Sequence, residues 1–353
     1  MQPIKSNGYS VYFDDHFGEL KTFLAEGSYS RVFFIADRNT YEKCLPAVLA
    51  ELPDLQQYDV IEVDPGEENK NIDFCIGIWQ MLLDFGADRN SLVINVGGGV
   101  VTDMGGFAAS TFKRGIDFVQ VPTTLLSQVD ASVGGKTGVD FGGVKNIIGT
   151  FTQPKAVFIS TALLGTLDRR QVISGFAEVI KHGLIRDKAY FEKAIEAAYR
   201  PVDTALIYRS VEIKNEVVTT DPFEKGLRKI LNFGHTIGHA IESYSMLPGN
   251  SPLLHGEAIG FGMICESYLS HIHHQLTGEE LNTIIAGLLR IYPYYPIEAT
   301  AYPELIAIML NDKKNTNGKI GFALLSAIGN CAYNLYVSER EIVDALEFYR
   351  ELR

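Results

Sequence analysis

The sequence predicts an α/β first half built on a mostly parallel sheet, followed by a mainly α-helical second half. Three observations carry this. Short runs rich in Val, Ile and Phe alternate with helical patterns as far as residue 160. Helix-period patterns then run almost unbroken to the C-terminus. The chain has 353 residues, more than one ordinary core needs and suited to two domains.

The strand candidates, in order, are Val32–Ala36, Val60–Val63, Leu92–Val96, Phe118–Val121 and Ala156–Ile159, each closed by Asp, Gly, Pro or Ser. A helical pattern over Ile72–Phe85 stops at Gly86. Strands alternating with helices imply a parallel sheet covered on both faces, which binds ligands at the carboxyl ends of its strands. In the second half, Asp168 followed by Gln171 reads as a capping box opening a helix through Ile185. Further helices are expected over Ala189–Tyr199, Thr204–Val218, Arg228–Tyr244, His255–His271, Gly278–Leu289 and Pro303–Leu310. A late hairpin pairs Ile320–Leu325 with Ala332–Val337, and a last helix covers Glu339–Glu351. The boundary is expected between residues 160 and 168, giving domains 1–164 and 165–353, with the cleft between them as the default ligand site.

Asp and Glu total 43 against 31 Lys and Arg, a formal net charge of −12. Such a body repels phosphate backbones and argues against nucleic-acid binding. Apolar residues make up 46% and charged residues 21%, the balance of a soluble globular protein. The four cysteines are scattered with no Cys-x-x-Cys pair, Met1–Ser10 lacks an apolar signal region, and no apolar run reaches membrane-spanning length. The expectation is a reduced, cytoplasmic protein with no membrane partner.

Four groups of residues carry chemistry. Asn95-Val-Gly97-Gly98-Gly99-Val-Val-Thr102-Asp103 follows a strand, where glycines let backbone approach a pyrophosphate at a helix N-terminus. It departs from the standard dinucleotide fingerprint, because Thr102 stands where the third Gly belongs. Ser132-Val-Gly-Gly-Lys136-Thr-Gly138 resembles a P-loop but has Asp130 in place of its first Gly, so ATP hydrolysis is not expected. With Lys145-Asn146 close behind, it offers two lysines on Gly-rich backbone to a small anion. A third group is a possible metal set. His235 and His239 share a helix face at i, i+4, with Glu178 and His255 to complete a site; Glu178 with His182 is the rival pairing, and capping or core roles are the plain alternative. The fourth is scattered positive charge, Arg114, Lys181, Lys214, Arg228, Lys313 and Lys314, which could orient a multiply charged substrate if it converges. His271, His273 and His274 close a helix and read as exposed.

Taken together, these motifs resemble the 3-dehydroquinate synthase family, from about Asp37 to Lys314. The resemblance implies a Rossmann-like N-terminal domain, a helical C-terminal domain, NAD, and one divalent metal, zinc or alternatively cobalt. It implies Glu178, His235 and His255 as metal ligands, with His239 an active-site residue rather than a ligand. It matches Asp37, Glu67, Lys70, Gly98, Gly99, Asp103, Thr123, Thr124, Thr166 and Leu167 to cofactor positions, with Lys136 and Lys145 beside them. Asp130, Lys136, Asn146, Lys181, Lys214, Arg228, Asn232 and His239 match substrate or catalytic positions. Arg114 and Lys145 match phosphate-handling positions, and one of Lys313 and Lys314 a further substrate lysine.

The implied reaction converts 3-deoxy-D-arabino-heptulosonate 7-phosphate to 3-dehydroquinate and phosphate. It runs through transient oxidation by NAD, phosphate elimination, reduction, ring opening and an intramolecular aldol closure. The implied assembly is a homodimer, and the implied partner a small phosphorylated keto acid. Two departures stand out: Asp168 where the family often has Pro, and Asp140 where it often has Asn. Rival readings are another sugar-phosphate cyclase, a metal-dependent polyol dehydrogenase, and a non-catalytic nucleotide-binding scaffold.

Overall fold

The computed structural model describes residues 1–142, 144–310 and 320–353. Lys313 and Lys314 therefore lie outside the described residues. The chain divides into two compact units: Met1–Val172 with Asp203–Thr219, and Ile173–Val202 with Thr220–Arg353.

The first unit holds strands β1 (Ile4–Lys5), β2 (Ser10–Phe13), β3 (Val32–Asp37), β4 (Asp59–Val63), β5 (Leu92–Gly97), β6 (Asp117–Pro122), β7 (Lys136–Phe141), β8 (Val144–Phe151) and β9 (Ala156–Ile159). Its helices are α1 (Gly18–Glu26), α2 (Arg38–Lys43), α3 (Leu45–Ala50), α4 (Ile72–Asp84) and α5 (Gly99–Thr111). Seven strands form one sheet in the order β1-β2-β9-β6-β5-β3-β4, in which only the β1 pairing is antiparallel. The five expected strands are all present, within a residue or so at each end. Their apolar runs are continuous because both sheet faces are buried. Phe33, Ile35, Val93 and Phe118 pack beneath α4 and α5, while Phe34, Ile94, Val119 and Val121 pack on the opposite face with α1, Cys44 and α3.

From β3 the chain steps outward to β4, then returns to β5 on the other side of β3. That reversal makes the carboxyl ends of β3 and β5 a topological switch point, where open α/β sheets bind ligands. Asp37 closes β3 there, and Gly97 closes β5.

Helices α6 (Arg169–Arg186), α7 (Lys188–Ala197) and α8 (Thr204–Thr220) come next. A helix over Thr204–Val218 was expected, but it groups with the first unit rather than falling beyond a boundary at 164/165. Asn215 Nδ2 donates to the Lys5 carbonyl at 2.8 Å and Asn7 Nδ2 to the Val218 carbonyl at 3.2 Å, tying α8 to the N-terminal hairpin.

The second unit continues with α9 (His235–Ser245), α10 (His255–His273), α11 (Gly278–Ile291), α12 (Tyr302–Leu310), the antiparallel hairpin β10 (Gly321–Ala327) and β11 (Asn330–Tyr336), and α13 (Glu339–Arg350). Helix α10 is its core element, buried almost continuously from Gly256 to Ser270, as its apolar run and lack of a charged face require. The single helix expected over Arg228–Tyr244 is broken. A 3-10 turn covers Leu227–Asn232, and Gly234 at φ 80 turns the chain into α9. Among the described residues, no helix is long and apolar enough to cross a membrane.

Candidate active site

In the first unit Asp37, Gly98, Thr123 and Thr124 lie at or just after the carboxyl ends of β3, β5 and β6. Gly98 is the N-cap of α5, so the first turn of that helix opens directly from β5. A Cβ on Gly98 would lie 2.9 Å from Thr124 Cγ2, so the turn and the stretch after β6 lie in close contact. The Thr123 N–H donates to the Gly97 carbonyl at 3.0 Å, and Thr124 Oγ1 accepts the Ser127 N–H at 3.1 Å. Asp37 is spent locally, capping α2 through the Thr40 N–H at 2.9 Å. Thr166 and Leu167 end the 3-10 turn after β9, with Thr166 Oγ1 3.3 Å from Cys44 Sγ.

The turn Glu67–Asn69 leads into Lys70, whose Nζ is buried and lies 2.6 Å from Asp103 Oδ2 in the second turn of α5. Burial alone would lower the Lys70 pKa; the Asp103 and Glu67 carboxylates outweigh it and hold the ammonium charged. Lys70 Nζ also donates to Asn146 Oδ1 at 2.6 Å, and Lys145 Nζ lies 3.7 Å from Glu67.

Lys136, Lys145 and Asn146 were expected on loops. They stand instead on the hairpin β7–β8, which packs along α5. Gly134 and Gly135 at φ 102 and 68 turn the chain into β7, and the Gly134 N–H is held by Tyr9 Oη at 3.0 Å. Arg114 lies beyond the far end of α5 from Asp103, so the structure separates it from the Lys70–Asp103 end of that helix. Asp130 sits in a π-helical turn, Ser127–Ala131, where Lys214 of α8 donates to both its carbonyl and, at 2.6 Å, its carboxylate.

In the second unit three helices bring together a buried carboxylate and histidines. Glu178 of α6 is fully buried. His235 and His255 are the first residues of α9 and α10, and their Nε2 atoms lie 3.4 and 3.8 Å from the same oxygen, Glu178 Oε1. Close approach fixes this meeting, since a Cβ on Gly256 would fall 1.8 Å from the Ser174 carbonyl oxygen of α6. The Nδ1 edges are tied elsewhere. His235 Nδ1 donates to the Phe233 carbonyl at 3.1 Å, and His255 Nδ1 to Glu242 Oε2 at 3.2 Å. Those bonds place the ring proton on Nδ1 and the lone pair on Nε2, the arrangement of a metal-ligating histidine. Burial alone would lower the His255 pKa, but Glu242 and Glu178 raise it to about 9, so without a metal Nε2 also holds a proton, which a bound cation would replace. His239, one turn along α9, belongs to the same group, and the ligating nitrogens of His235, His239 and His255 all lie within 4.8 Å of one another. The donor set of one carboxylate and two or three imidazoles suits a divalent transition metal.

Lys181, one turn from Glu178, forms a buried ion pair with it. Arg228 is buried in the 3-10 turn and donates to the Pro222 carbonyl at 2.7 Å. Asn232 Nδ2 donates to Glu224 Oε1 at 2.9 Å, and Glu224 holds a left-handed backbone at φ 58.

Two consecutive family models match the chain: 3-dehydroquinate synthase N-terminal over residues 60–174, and 3-dehydroquinate synthase C-terminal over residues 175–315. The 3-dehydroquinate synthase of Parabacteroides distasonis is 44% identical over 340 residues, covering 94% of this chain and 95% of that protein. The chain belongs to the 3-dehydroquinate synthase family. The synthase of Thermoanaerobacter pseudethanolicus is 39% identical, with 98% of each chain covered. Among solved structures, the 2-epi-5-epi-valiolone synthase of Streptomyces hygroscopicus, with NAD+ and Zn2+ bound, is similar at TM-score 0.87 and 27% identity, covering 100% of this chain and 99% of that one. Against this 3-dehydroquinate synthase framework, sequence reading missed Tyr9, Glu224 and Glu242. Each acts through a contact that no local motif announces. Glu242 alone leaves a trace, three residues after His239 on one helix face.

Proposed function

We propose that the chain catalyses the 3-dehydroquinate synthase reaction, releasing phosphate from 3-deoxy-D-arabino-heptulosonate 7-phosphate and forming 3-dehydroquinate. This makes it a carbon–oxygen lyase with no net redox change. The observation that carries the reading is the cluster of Glu178, His235 and His255, in a chain 44% identical to a family member over nearly its whole length. Glu178, His235 and His255 would hold one divalent metal, zinc or cobalt. Asp37, Glu67, Lys70, Gly98, Gly99, Asp103, Thr123, Thr124, Thr166 and Leu167 would hold NAD. When bound, NAD supplies a reversible hydride acceptor, and the metal polarises the oxygen of the reacting carbon.

The chain's own residues bind and orient. Lys136, Lys145 and Asn146 of the hairpin offer donors to anionic and hydroxyl groups, with Arg114 a further phosphate-handling cation. Asp130 fixes the Lys214 ammonium as a donor, so that residue enters as an oriented charge and not as a mobile one. In the second unit, Lys181, Arg228 and Asn232 are buried or half-buried and pre-positioned by Glu178, Pro222 and Glu224. A phosphorylated carboxylate needs several such cations, and their local field opposes the chain's net charge of −12. His239 would move a proton at a substrate oxygen. One of Lys313 and Lys314 adds a substrate contact in this reading. A cytoplasmic location and a homodimer belong to the same proposal.

The test is turnover of the heptulosonate phosphate by purified protein with NAD and zinc. Stoichiometric phosphate and dehydroquinate, without accumulating NADH, are expected. Steady NADH production from a polyol would replace this reading with a dehydrogenase, and phosphate release only from a substrate lacking the carboxylate would replace it with another cyclase.

A further inference from the structure

None of the roles above uses Asp140, an acidic side chain close to two lysines of the anion-binding hairpin and nucleotide turn. Its Oδ1 accepts the Asn146 N–H at 2.7 Å, and its own N–H donates to the Lys70 carbonyl at 2.8 Å. Lys70 Nζ completes a ring by donating to Asn146 Oδ1 at 2.6 Å. Asn71 pairs with Asp140 as an isolated parallel bridge, so the nucleotide turn and the hairpin meet through backbone as well as side chains. Asn146 has φ 50, a left-handed conformation that Asn tolerates better than most L-residues but that still needs its neighbours to hold it. The Asp140 carboxylate is the acceptor placed to do so.

We propose that Asp140 is a positioning residue that latches the hairpin carrying Lys145 and Asn146 to the cofactor-side Lys70. It holds Asn146 left-handed, which aims Asn146 Oδ1 at Lys70 and keeps Lys70 between Asn146 and Asp103. Nucleotide and phosphorylated substrate are therefore bound by groups that share one hydrogen-bonded ring, and each site stiffens the other. The latch needs an acceptor and not a charge, so Asn can serve where Ala cannot. This rests on the cofactor and substrate roles proposed above for Lys70 and Asn146.

The experiment compares wild type, Asp140→Ala and Asp140→Asn by hydrogen exchange of the segment 141–151, by calorimetry with NAD, and by steady-state kinetics. Loss of the bond from the Asn146 N–H should weaken NAD binding and raise the substrate KM by about tenfold in Asp140→Ala, with kcat changed less than about twofold. Exchange at Asn146 should rise in the same variant. Asp140→Asn should restore protection, NAD affinity and KM together. Unchanged Asn146 protection in Asp140→Ala overturns the latch, and so does an Asp140→Asn variant as impaired as Ala. Exchange and NAD calorimetry need no turnover. A wild-type protein inactive on the heptulosonate phosphate would thus defeat the proposed function, while those two measurements still judge the latch.

Discussion

His255 donates from Nδ1 to Glu242 Oε2 at 3.2 Å, on the ring edge opposite the Nε2 that faces Glu178. A carboxylate can only accept there, so Glu242 selects the tautomer and the ring plane. Glu242→Ala should weaken metal binding by about 10–100-fold, read as zinc retained per chain in a chelator competition. Glu242→Gln keeps an acceptor and should lose less. A Glu242→Ala protein that holds zinc as tightly as wild type would remove Glu242 from this role.

The Lys70–Asp103 pair makes a second prediction. Lys70 Nζ is buried and 2.6 Å from Asp103, so Lys70→Met leaves a carboxylate in a desolvated place without its partner. Removing one member of a buried pair costs about 3–5 kcal/mol, and the partial exposure of Asp103 puts this case at or below the low end. Adding Asp103→Leu should recover most of that loss, because the uncompensated charge goes too. Urea denaturation of both variants decides it: equal instability of the single and the double would mean the packing, not the charge, carries the effect.

What the sequence disclosed follows from how its signals arise. β3 and β5 were legible because Phe33 and Phe34, and likewise Val93 and Ile94, are buried on opposite faces and yield unbroken apolar runs. The hairpin β7–β8 was not. Gly138 and Gly149 face each other across it, each so close to the opposite backbone that a Cβ would sit 2.6 or 2.2 Å from a carbonyl oxygen. Glycines chosen for that approach leave a pattern that reads as loop. The break at Gly234 was hidden too, since apolar periodicity passes through it unchanged, while the extended Phe233 (ψ 130) and the left-handed Gly234 separate Asn232 from the helix of His235. At the site, spacing pointed to His235 with His239, while the grouping of Glu178, His235 and His255 came from the family resemblance and not from the residues' spacing. Tyr9 was not, because its contact with Gly134 spans 125 positions.

Acid stability offers a third test. Asp221 accepts the backbone N–H groups of Lys225, Gly226 and Arg228, at 3.0, 2.7 and 3.1 Å, and so shapes the loop that carries Arg228. Burial pushes the Asp221 carboxyl up, but these bonds and the Arg228 charge win and hold it below the ordinary aspartate range. A depressed folded pKa gives stability that is present above the unfolded value and lost as pH falls through the folded one. Wild type should therefore exceed Asp221→Asn in melting temperature near neutrality, with the gap closing as the solution is acidified below pH ~4. A gap that stays constant down to pH ~2 would show that the carboxylate's ionisation is not what the loop uses.

The same substitution should act with opposite sign on two neighbouring helices. A Cβ on Gly105 of α5 would lie 2.0 Å from Asn95 Oδ1, and Asn95 is itself anchored by donating to Gln120 Oε1 at 3.0 Å. Gln120 in turn donates to the Thr102 carbonyl at 3.0 Å, so displacing Asn95 disturbs the polar ladder beneath the Gly98–Thr102 turn. Gly105→Ala should destabilise by about 1–3 kcal/mol through overpacking and should weaken NAD binding with it. Gly77 of α4 is exposed, and an added Cβ there meets nothing within 4 Å. Gly77→Ala should stabilise by about 0.5–1 kcal/mol through helix propensity and a less flexible unfolded chain, and leave NAD binding alone. Thermal melts with and without NAD separate the two effects. A Gly105→Ala protein as stable as wild type would mean that the Asn95–Gln120 ladder yields freely and does not set the nucleotide turn.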